Sequence, residues 1–519
     1  MQGDWPQTLP GVLAQAAARY GAATAIEDGG TTLSFSALQA AVQQAAAAFV
    51  AAGVEAGDRI AIWAPNGAPW IIAALGAQSA GAAIVPLNTR LKGREAGFIL
   101  RRSGARVLCH SGAFLGVDFP AMLAAESLPN LARQIDLGTA EWQKFIAAAT
   151  PRDAAVATAR TNALCGDDLA DVMFTSGTTG EPKGVMSTHG QNVRVFSEWS
   201  RIVGLTHDDR YLIVNPFFHA FGYKAGWLAC LITGATILPM AVFDAAEVIR
   251  RIGDERISVL PGPPTLFQSM LADRSLDRAR TATLRLAVTG AANVPVALIE
   301  RMRDELGFAT IVTGYGLTES TGTVSMCRPG DDPETIARSC GAPLPGVEVK
   351  VVDAQGRELP RGEEGEILVR GYNVMRGYLD DPQSTAAAID ADGWLHTGDI
   401  GTMDARDYLR ITDRKKDMFI VGGFNCYPAE IESLISAHTA IAQVAVVGVP
   451  DERLGEVAAA YLVLRPDAQL TESEFLAWCR NNMANYKVPR KVQFVTALPT
   501  TASGKVRRFE LRDHETKGT

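Results

Sequence analysis

Between Thr175 and Gly184 the chain reads Thr175-Ser176-Gly177-Thr178-Thr179-Gly180-Glu181-Pro182-Lys183-Gly184. Small hydroxyl residues and glycines let backbone N–H and side-chain O–H groups crowd around an anion, and a nearby lysine adds charge. The composition is that of a phosphate cradle. Its spacing is not the Walker A pattern G-x-x-x-x-G-K-S/T, and Pro182 argues against a helix springing directly from the loop. Taken alone, such a loop is more often a plain turn. Further groups with chemical potential lie downstream: Tyr315-Gly316-Leu317-Thr318-Glu319, Trp394-Leu395-His396-Thr397-Gly398-Asp399, the basic turn Asp413-Arg414-Lys415-Lys416-Asp417 followed by Gly422-Gly423-Phe424-Asn425, and Leu498-Pro499-Thr500-Thr501-Ala502-Ser503-Gly504-Lys505. Singly, each has a bland reading: Tyr315 a core aromatic, Asp399 a turn former, Arg414 and Lys416 solvated charge, Lys505 an exposed tail lysine.

These residues need a scaffold. From Leu9 to Cys109, apolar helices alternate with short β-branched runs, with helices expected at Ser34 to Ala52 and Trp70 to Ala80 and strands at Arg59 to Trp63 and Ala83 to Pro86. Such alternation implies parallel strands with helices on both faces. Ser34 is an expected N-cap of the alanine-rich helix. The stretch from Ala147 to Gly166 lacks clear periodicity and reads as a surface connection, ahead of a buried strand at Leu169 to Thr175 that carries the cradle. A second alternating series runs from Tyr211 to Thr313. After Cys340 the texture becomes β-rich and punctuated by glycine. The expected fold class is therefore α/β: a large N-terminal domain, 1–413, of two αβ-layered subdomains plus a β-rich subdomain, and a small C-terminal α+β domain, 417–519, divided at 414–416.

Composition excludes several classes. With 519 residues the chain exceeds one ordinary core. A net charge of −8 leaves no global positive field for nucleic acid or an anionic bilayer. The seven cysteines are scattered, odd in number and without a C-x-x-C pair, which points to reduced thiols in a cytoplasmic protein. The apolar stretch Ala225 to Met240 falls short of the roughly 20 residues of a membrane span, contains Gly234 and Pro239, and reads as buried helix passing into buried strand.

Taken together and in order, the cradle and the four downstream motifs resemble those of the acyl-adenylate-forming superfamily, which includes acyl-CoA synthetases, luciferases and peptide-synthetase adenylation domains. The resemblance covers nearly the whole chain. It implies ATP, Mg²⁺ and coenzyme A as cofactors and a carboxylic acid as substrate. The cradle residues Thr175, Ser176, Gly177, Thr178, Thr179, Gly180 and Lys183 would receive the β- and γ-phosphates. Tyr315 would stack on adenine, with Gly290, Ala291, Ala292, Gly316 and Thr318 alongside. Asp399 would hold the ribose hydroxyls, with Arg414 nearby; Glu319 would hold Mg²⁺, assisted by Thr178. Lys505 would be the adenylation lysine. The small domain would rotate about Lys416, and Gly422 and Gly423 would line the approach of the thiol. Dimers are common in the superfamily.

The chemistry explains the choice of groups. A carboxylic acid ordinarily titrates near roughly pH 4 and is already ionised at neutral pH, so no general base is needed to make the nucleophile. The obstacle is repulsion between two anions and charge build-up on the departing pyrophosphate, which cations and oriented dipoles relieve.

The superfamily's acyl pocket is lined by segments that here correspond to Phe217 to Lys224 and Gly290 to Ala292, with Phe218, Phe221, Lys224, Gly290 and Gly314 expected in the pocket. Amino-acid-activating relatives place an aspartate where His219 stands, which argues against an amino-acid substrate. His219 is either a catalytic or orienting group, or a packed core histidine. Asn215-Pro216-Phe217-Phe218-His219, Phe221-Gly222-Tyr223-Lys224-Ala225-Gly226 and Leu260-Pro261-Gly262-Pro263-Pro264-Thr265 resemble most closely a subgroup of bacterial steroid-catabolism ligases, which activate a propanoate side chain on a methylated dioxo-hydrindane. Lys224 would then donate to a polar substituent of the bicycle, or else pair with a carboxylate at the pocket rim. A medium-chain fatty acid ligase is the nearest competitor; a carrier-protein adenylation module, a fatty acyl-AMP ligase, a luciferase-like oxygenase and a catalytically dead nucleotide-binding sensor are more distant alternatives.

Overall fold

The computed structural model describes residues 6–175, 181–290, 294–414, 418–465, 468–499, 506, 508 and 510–512. The strands Arg59–Trp63, Ala83–Pro86, Val107–His110 and Arg133–Asp136 lie parallel to one another, and Leu169–Thr175 runs parallel beside Ala83–Pro86. Two antiparallel strands, Lys183–Thr188 and Gly377–Tyr378, complete a seven-stranded sheet. Its interior strands Ala83–Pro86 and Val107–His110 are buried along their whole length, as strands covered on both faces must be. The helix Phe35–Ala51 begins at Ser34, whose Oγ accepts from the Ala37 amide at 3.1 Å, as the sequence suggested.

The stretch from Ala147 to Gly166 differs from expectation. It holds a helix, Pro151–Ala163, started by a reciprocal capping box between Thr150 and Asp153 with proline in its first turn. Ala157 is its one buried residue, so local signals form it with almost no apolar stripe to reveal it.

A second αβ layer contains the parallel strands Thr24–Asp28, Thr236–Pro239 and Arg210–Ile213, and the parallel pair Leu286–Gly290 and Thr310–Tyr315; Val259 bridges the two groups. The apolar stretch resolves into a helical segment kinked at Gly226, Tyr223–Leu228, a short helix, Ala229–Thr233, and the buried strand Thr236–Pro239. Among the described residues, no helix is long and apolar enough to cross a membrane.

Past Cys340, Val347–Val352, Gly365–Gly371, Leu395–Met403 and Leu409–Arg414 form a four-stranded antiparallel sheet. Phe419–Val421 then enters a different, five-stranded sheet with Phe424–Cys426, Ile441–Asp451, Gly455–Leu464 and Lys491–Phe494. This last sheet packs with Ile431, Ile435, Phe475 and Cys479 of two helices into a core of its own. The architecture is thus α/β with a large N-terminal part and a small C-terminal α+β part, and sheet membership changes between Arg414 and Phe419.

Candidate active site

A cleft of about 1640 Å³ opens where the ends of Leu169–Thr175, Leu286–Gly290 and Thr310–Tyr315 meet the Leu395–Met403 strand and the C-terminal part. The strand Leu169–Thr175 delivers Thr175 to its wall, and the returning strand brings Lys183 back in register opposite Thr175. The tight turn Thr318–Ser320 presents Glu319 to the same corner. One oxygen of that carboxylate, Oε1, accepts from Thr175 Oγ1 at 3.5 Å and from the Tyr378 hydroxyl at 2.9 Å. Burial, reinforced by the Glu319 charge, pushes the Tyr378 phenol pKa well up, so the group stays protonated and donates. Lys183 Nζ stands 5.2 Å from the Tyr378 ring centre. The corner therefore gathers a lysine, a carboxylate, a hydroxyl and a phenol from four chain segments.

Farther along the wall, the Tyr315 hydroxyl donates to Asp399 Oδ2 at 2.6 Å. Asp399 is only 5% exposed, and its amide donates to Thr397 Oγ1 at 3.1 Å, which fixes the loop that carries it. Gly316 permits the turn beyond Tyr315, because a Cβ there would lie 2.3 Å from the Gly322 carbonyl oxygen. Gly290, Gly314 and Thr318 also line the cleft. Arg414 sits opposite Asp399 in the strand register.

His219 precedes a short helical turn and accepts from the Phe221 amide through Nδ1 at 3.2 Å. Its side chain is open to the cleft yet ringed by protein, and that enclosure lowers its pKa, so the imidazole is neutral at physiological pH. Phe221 joins it on the wall, together with Phe196 and Trp199 of the helix His189–Val203.

Two pocket expectations are corrected. Phe218 is half-buried but not part of the cleft wall. Lys224 is fully buried and also off the wall; its Nζ pairs with Asp171 Oδ1 at 3.1 Å and donates to Ser187 Oγ at 3.1 Å. The physical reason is geometric. In the helical segment that carries Lys224, kinked at Gly226, Ala225 reaches the cleft while Lys224 pairs with Asp171 of the Leu169–Thr175 strand in the core. Burial lowers the lysine pKa, and the Asp171 carboxylate opposes that shift. Of the two readings open for Lys224, carboxylate pairing is the one the fold adopts, in the core and not at a rim.

From the C-terminal part, Gly423 lines the cleft, with Gly422 beside it in the chain. Both have left-handed φ, +55° for Gly422 and +88° for Gly423, and a Cβ on Gly423 would stand 3.5 Å from Pro263. This face of the small part is held by Lys487, whose Nζ lies 2.7 Å from both Glu95 of the large part and Glu430 of its own. All three side chains are buried. Burial alone would lower the Lys487 pKa, but the Glu430 and Glu95 carboxylates outweigh it and hold it above the ordinary value. Nearby, the Arg90 guanidinium covers the Phe424 ring at 4.6 Å, and Phe424 stacks on Tyr486 at 4.7 Å.

Ser176, Gly177, Thr178, Thr179, Gly180, Ala291, Ala292, Lys416 and Lys505 lie outside the described residues. Sequence reading missed Tyr378, which has no motif of its own and reaches the site by pairing with Val185, two residues after Lys183. It also missed Phe196 and Trp199, whose helical spacing is that of any core-facing stripe.

Known proteins resemble this chain along its length. Residues 13–379 match the AMP-binding enzyme family and 430–505 match the AMP-binding enzyme C-terminal domain. The chain belongs to the AMP-binding enzyme family and is an acyl-adenylate-forming acyl-CoA synthetase. It is 50% identical to the 3-(7a-methyl-1,5-dioxo-octahydro-1H-inden-4-yl)propanoyl:CoA ligase of Rhodococcus jostii (strain RHA1), over 99% of both chains. The ligase of the same name from Mycobacterium tuberculosis is 50% identical over 92% of both. Among solved structures, a double mutant of o-succinylbenzoate CoA synthetase from Bacillus subtilis, bound with its product analogue, superposes with a TM-score of 0.83 at 30% identity, covering 97% of this chain and 98% of that one.

Proposed function

We propose that the protein joins coenzyme A to a propanoate carried on a methylated, ring-oxidised indane skeleton, by way of the acyl-AMP. Half-identity across 99% and 92% of the two ligases named for that acid carries the substrate reading. The roomy apolar wall of Phe196, Trp199, Phe221 and Val294 supports a bulky acyl group. A medium-chain acid is the competing reading. CoA-dependent AMP release across linear acids of graded length, benzoates and the dioxo-indane propanoate decides between them. A preference of at least about tenfold in kcat/KM, equivalent to roughly 1.4 kcal/mol, is expected for the bicyclic acid; equal or better use of linear acids contradicts it.

In the first half-reaction the acid's carboxylate attacks the α-phosphorus of ATP and pyrophosphate leaves. The cradle from Thr175 to Lys183 receives the terminal phosphates, and Lys505 bridges the carboxylate and α-phosphate. Tyr315 lies against adenine, with its hydroxyl tying it to Asp399, which takes the ribose hydroxyls. Among the described residues, both side-chain hydrogen bonds to the Glu319 carboxylate end on Oε1, and this carboxylate would hold the metal. A carboxylate amid hydroxyls fits Mg²⁺, which Glu319 would hold and which would neutralise charge on the phosphates when bound. His219, neutral and at the wall, orients the acyl carboxylate.

In the second half-reaction the CoA thiolate attacks the acyl carbon and AMP leaves. The small part, 417–519, turns about 414–416 to exchange Lys505 for the Gly422–Gly423 edge. The position of Gly423 on the cleft, and the likeness to a synthetase bound with its CoA product analogue, support reading the present arrangement as the thioester-forming one. Lys487 then acts as a latch for it. Lys487→Met is expected to slow thioester formation by about tenfold or more while leaving acid-dependent ATP–pyrophosphate exchange intact, because two carboxylates would face each other without their cation. Single-turnover measurement of each half-reaction checks this. Seven scattered cysteines without a C-x-x-C pair support a reducing, cytoplasmic setting.

A further inference from the structure

Several buried side-chain polar atoms of the described residues lack a hydrogen-bond partner, among them the Ser197, Ser200 and Thr289 hydroxyls and the Trp70 and Trp227 indole N–H groups. Only Thr289 among them belongs to the cleft wall. It lies on the strand Leu286–Gly290, one residue before Gly290, and is 2% exposed. Its partner in the parallel register is Thr313, a residue of the same type at similar depth on the same wall. Thr313 Oγ1 is satisfied, with the Ile336 carbonyl at 3.0 Å and the Ser339 carbonyl at 3.1 Å. Thr289 Oγ1 has nothing equivalent.

A buried hydroxyl without a partner forfeits the bonds it made with water, so an orphan in a folded protein calls for an occupant. Val288, Val294 and Trp199 line the same cleft. Rotation about χ1 interchanges the hydroxyl and the methyl of a threonine, and here that rotation breaks no hydrogen bond. The group can thus turn toward the cleft when an acceptor arrives.

We infer that Thr289 is a specificity residue that donates a hydrogen bond to a ring carbonyl oxygen of the acid. This rests on the proposed substrate class, whose skeleton carries two ketones, and names the side chain that reads one of them. A purely aliphatic acid would leave the hydroxyl unpaired and lose that contribution. Thr289 touches the acyl group remote from the reacting carboxylate, so it discriminates between acids without taking part in bond making.

The test compares two acids of one skeleton, the dioxo-indane propanoate and its ring-deoxygenated counterpart, with the parent enzyme, Thr289→Val and Thr289→Ser. Valine keeps the shape and removes the donor; serine keeps the donor. The parent is expected to favour the dioxo acid in kcat/KM. Thr289→Val should reduce kcat/KM about tenfold for the dioxo acid and less than about twofold for the other, with Thr289→Ser close to the parent. An equal loss on both acids, or no loss on the dioxo acid, overturns the inference. Should Thr289→Val not fold, equal use of both acids by the parent overturns it as well. Turnover of linear acids alone by the parent instead brings down the substrate reading, and this inference with it, before any variant is made.

Discussion

Replacing Glu319 with Gln is expected to slow acyl-adenylate formation by about two to three orders of magnitude, the usual cost of removing one preorganised charge from a phosphoryl-transfer site. The substitution preserves shape. Glutamine can still accept from Tyr378 and Thr175 through its carbonyl oxygen, so the corner should remain folded around it. What disappears is the negative charge beside the phosphates and its capacity to hold Mg²⁺. Acid-dependent ATP–pyrophosphate exchange reads this step alone. Supplied with preformed acyl-AMP, the variant should make thioester at close to the parental rate, because AMP and not pyrophosphate is the leaving group in that step. Exchange within a few-fold of the parent would remove Glu319 from the chemistry.

Lys224→Met should lower folding stability by about 3–5 kcal/mol, because it strands the Asp171 carboxylate in the core without its cation. Asp171 is fully buried, and its other bonds, from Asn192 at 2.7 Å and Tyr223 at 3.4 Å, come from neutral donors. Methionine fills nearly the same volume, so the loss is electrostatic and not a cavity. Adding Asp171→Asn to Lys224→Met should recover part of it, the signature of coupling between neighbours. Denaturant unfolding of the single and double variants measures both effects. Unchanged stability, combined with a lost preference for ketone-bearing acids, would return Lys224 to the substrate pocket and contradict the buried-pair account.

Lys224 also shows where sequence reading loses its hold. The string around it placed Phe221 on the cleft, but the kink at Gly226 within Tyr223–Leu228 helps decide which successive side chains face outward, and no composition signal announces it. The alternation of helices and strands was legible because burial on both faces of a parallel sheet forces near-continuous apolar runs. The helix Pro151–Ala163 was not, because its caps and alanines make it while only Ala157 is buried, which leaves no stripe to see. Glu319, Tyr315 and Asp399 could be named from their motifs. Tyr378 could not: what brings it to Glu319 is strand pairing across nearly two hundred residues of intervening chain, and its own short strand Gly377–Tyr378 carries no signal. Thr289 was passed over for a related reason, since an unpaired hydroxyl is a property of surroundings and not of residue type.

The central claim is that one cleft first makes an acyl-adenylate and then a thioester. The most direct test is to follow AMP and acyl-CoA together with ATP, Mg²⁺ and the dioxo-indane propanoate, with and without CoA. The account predicts acid-dependent ATP–pyrophosphate exchange in the absence of CoA, and one AMP released per acyl-CoA formed once CoA is added. ADP as the nucleotide product, or nucleotide turnover that ignores both the acid and CoA, would contradict it.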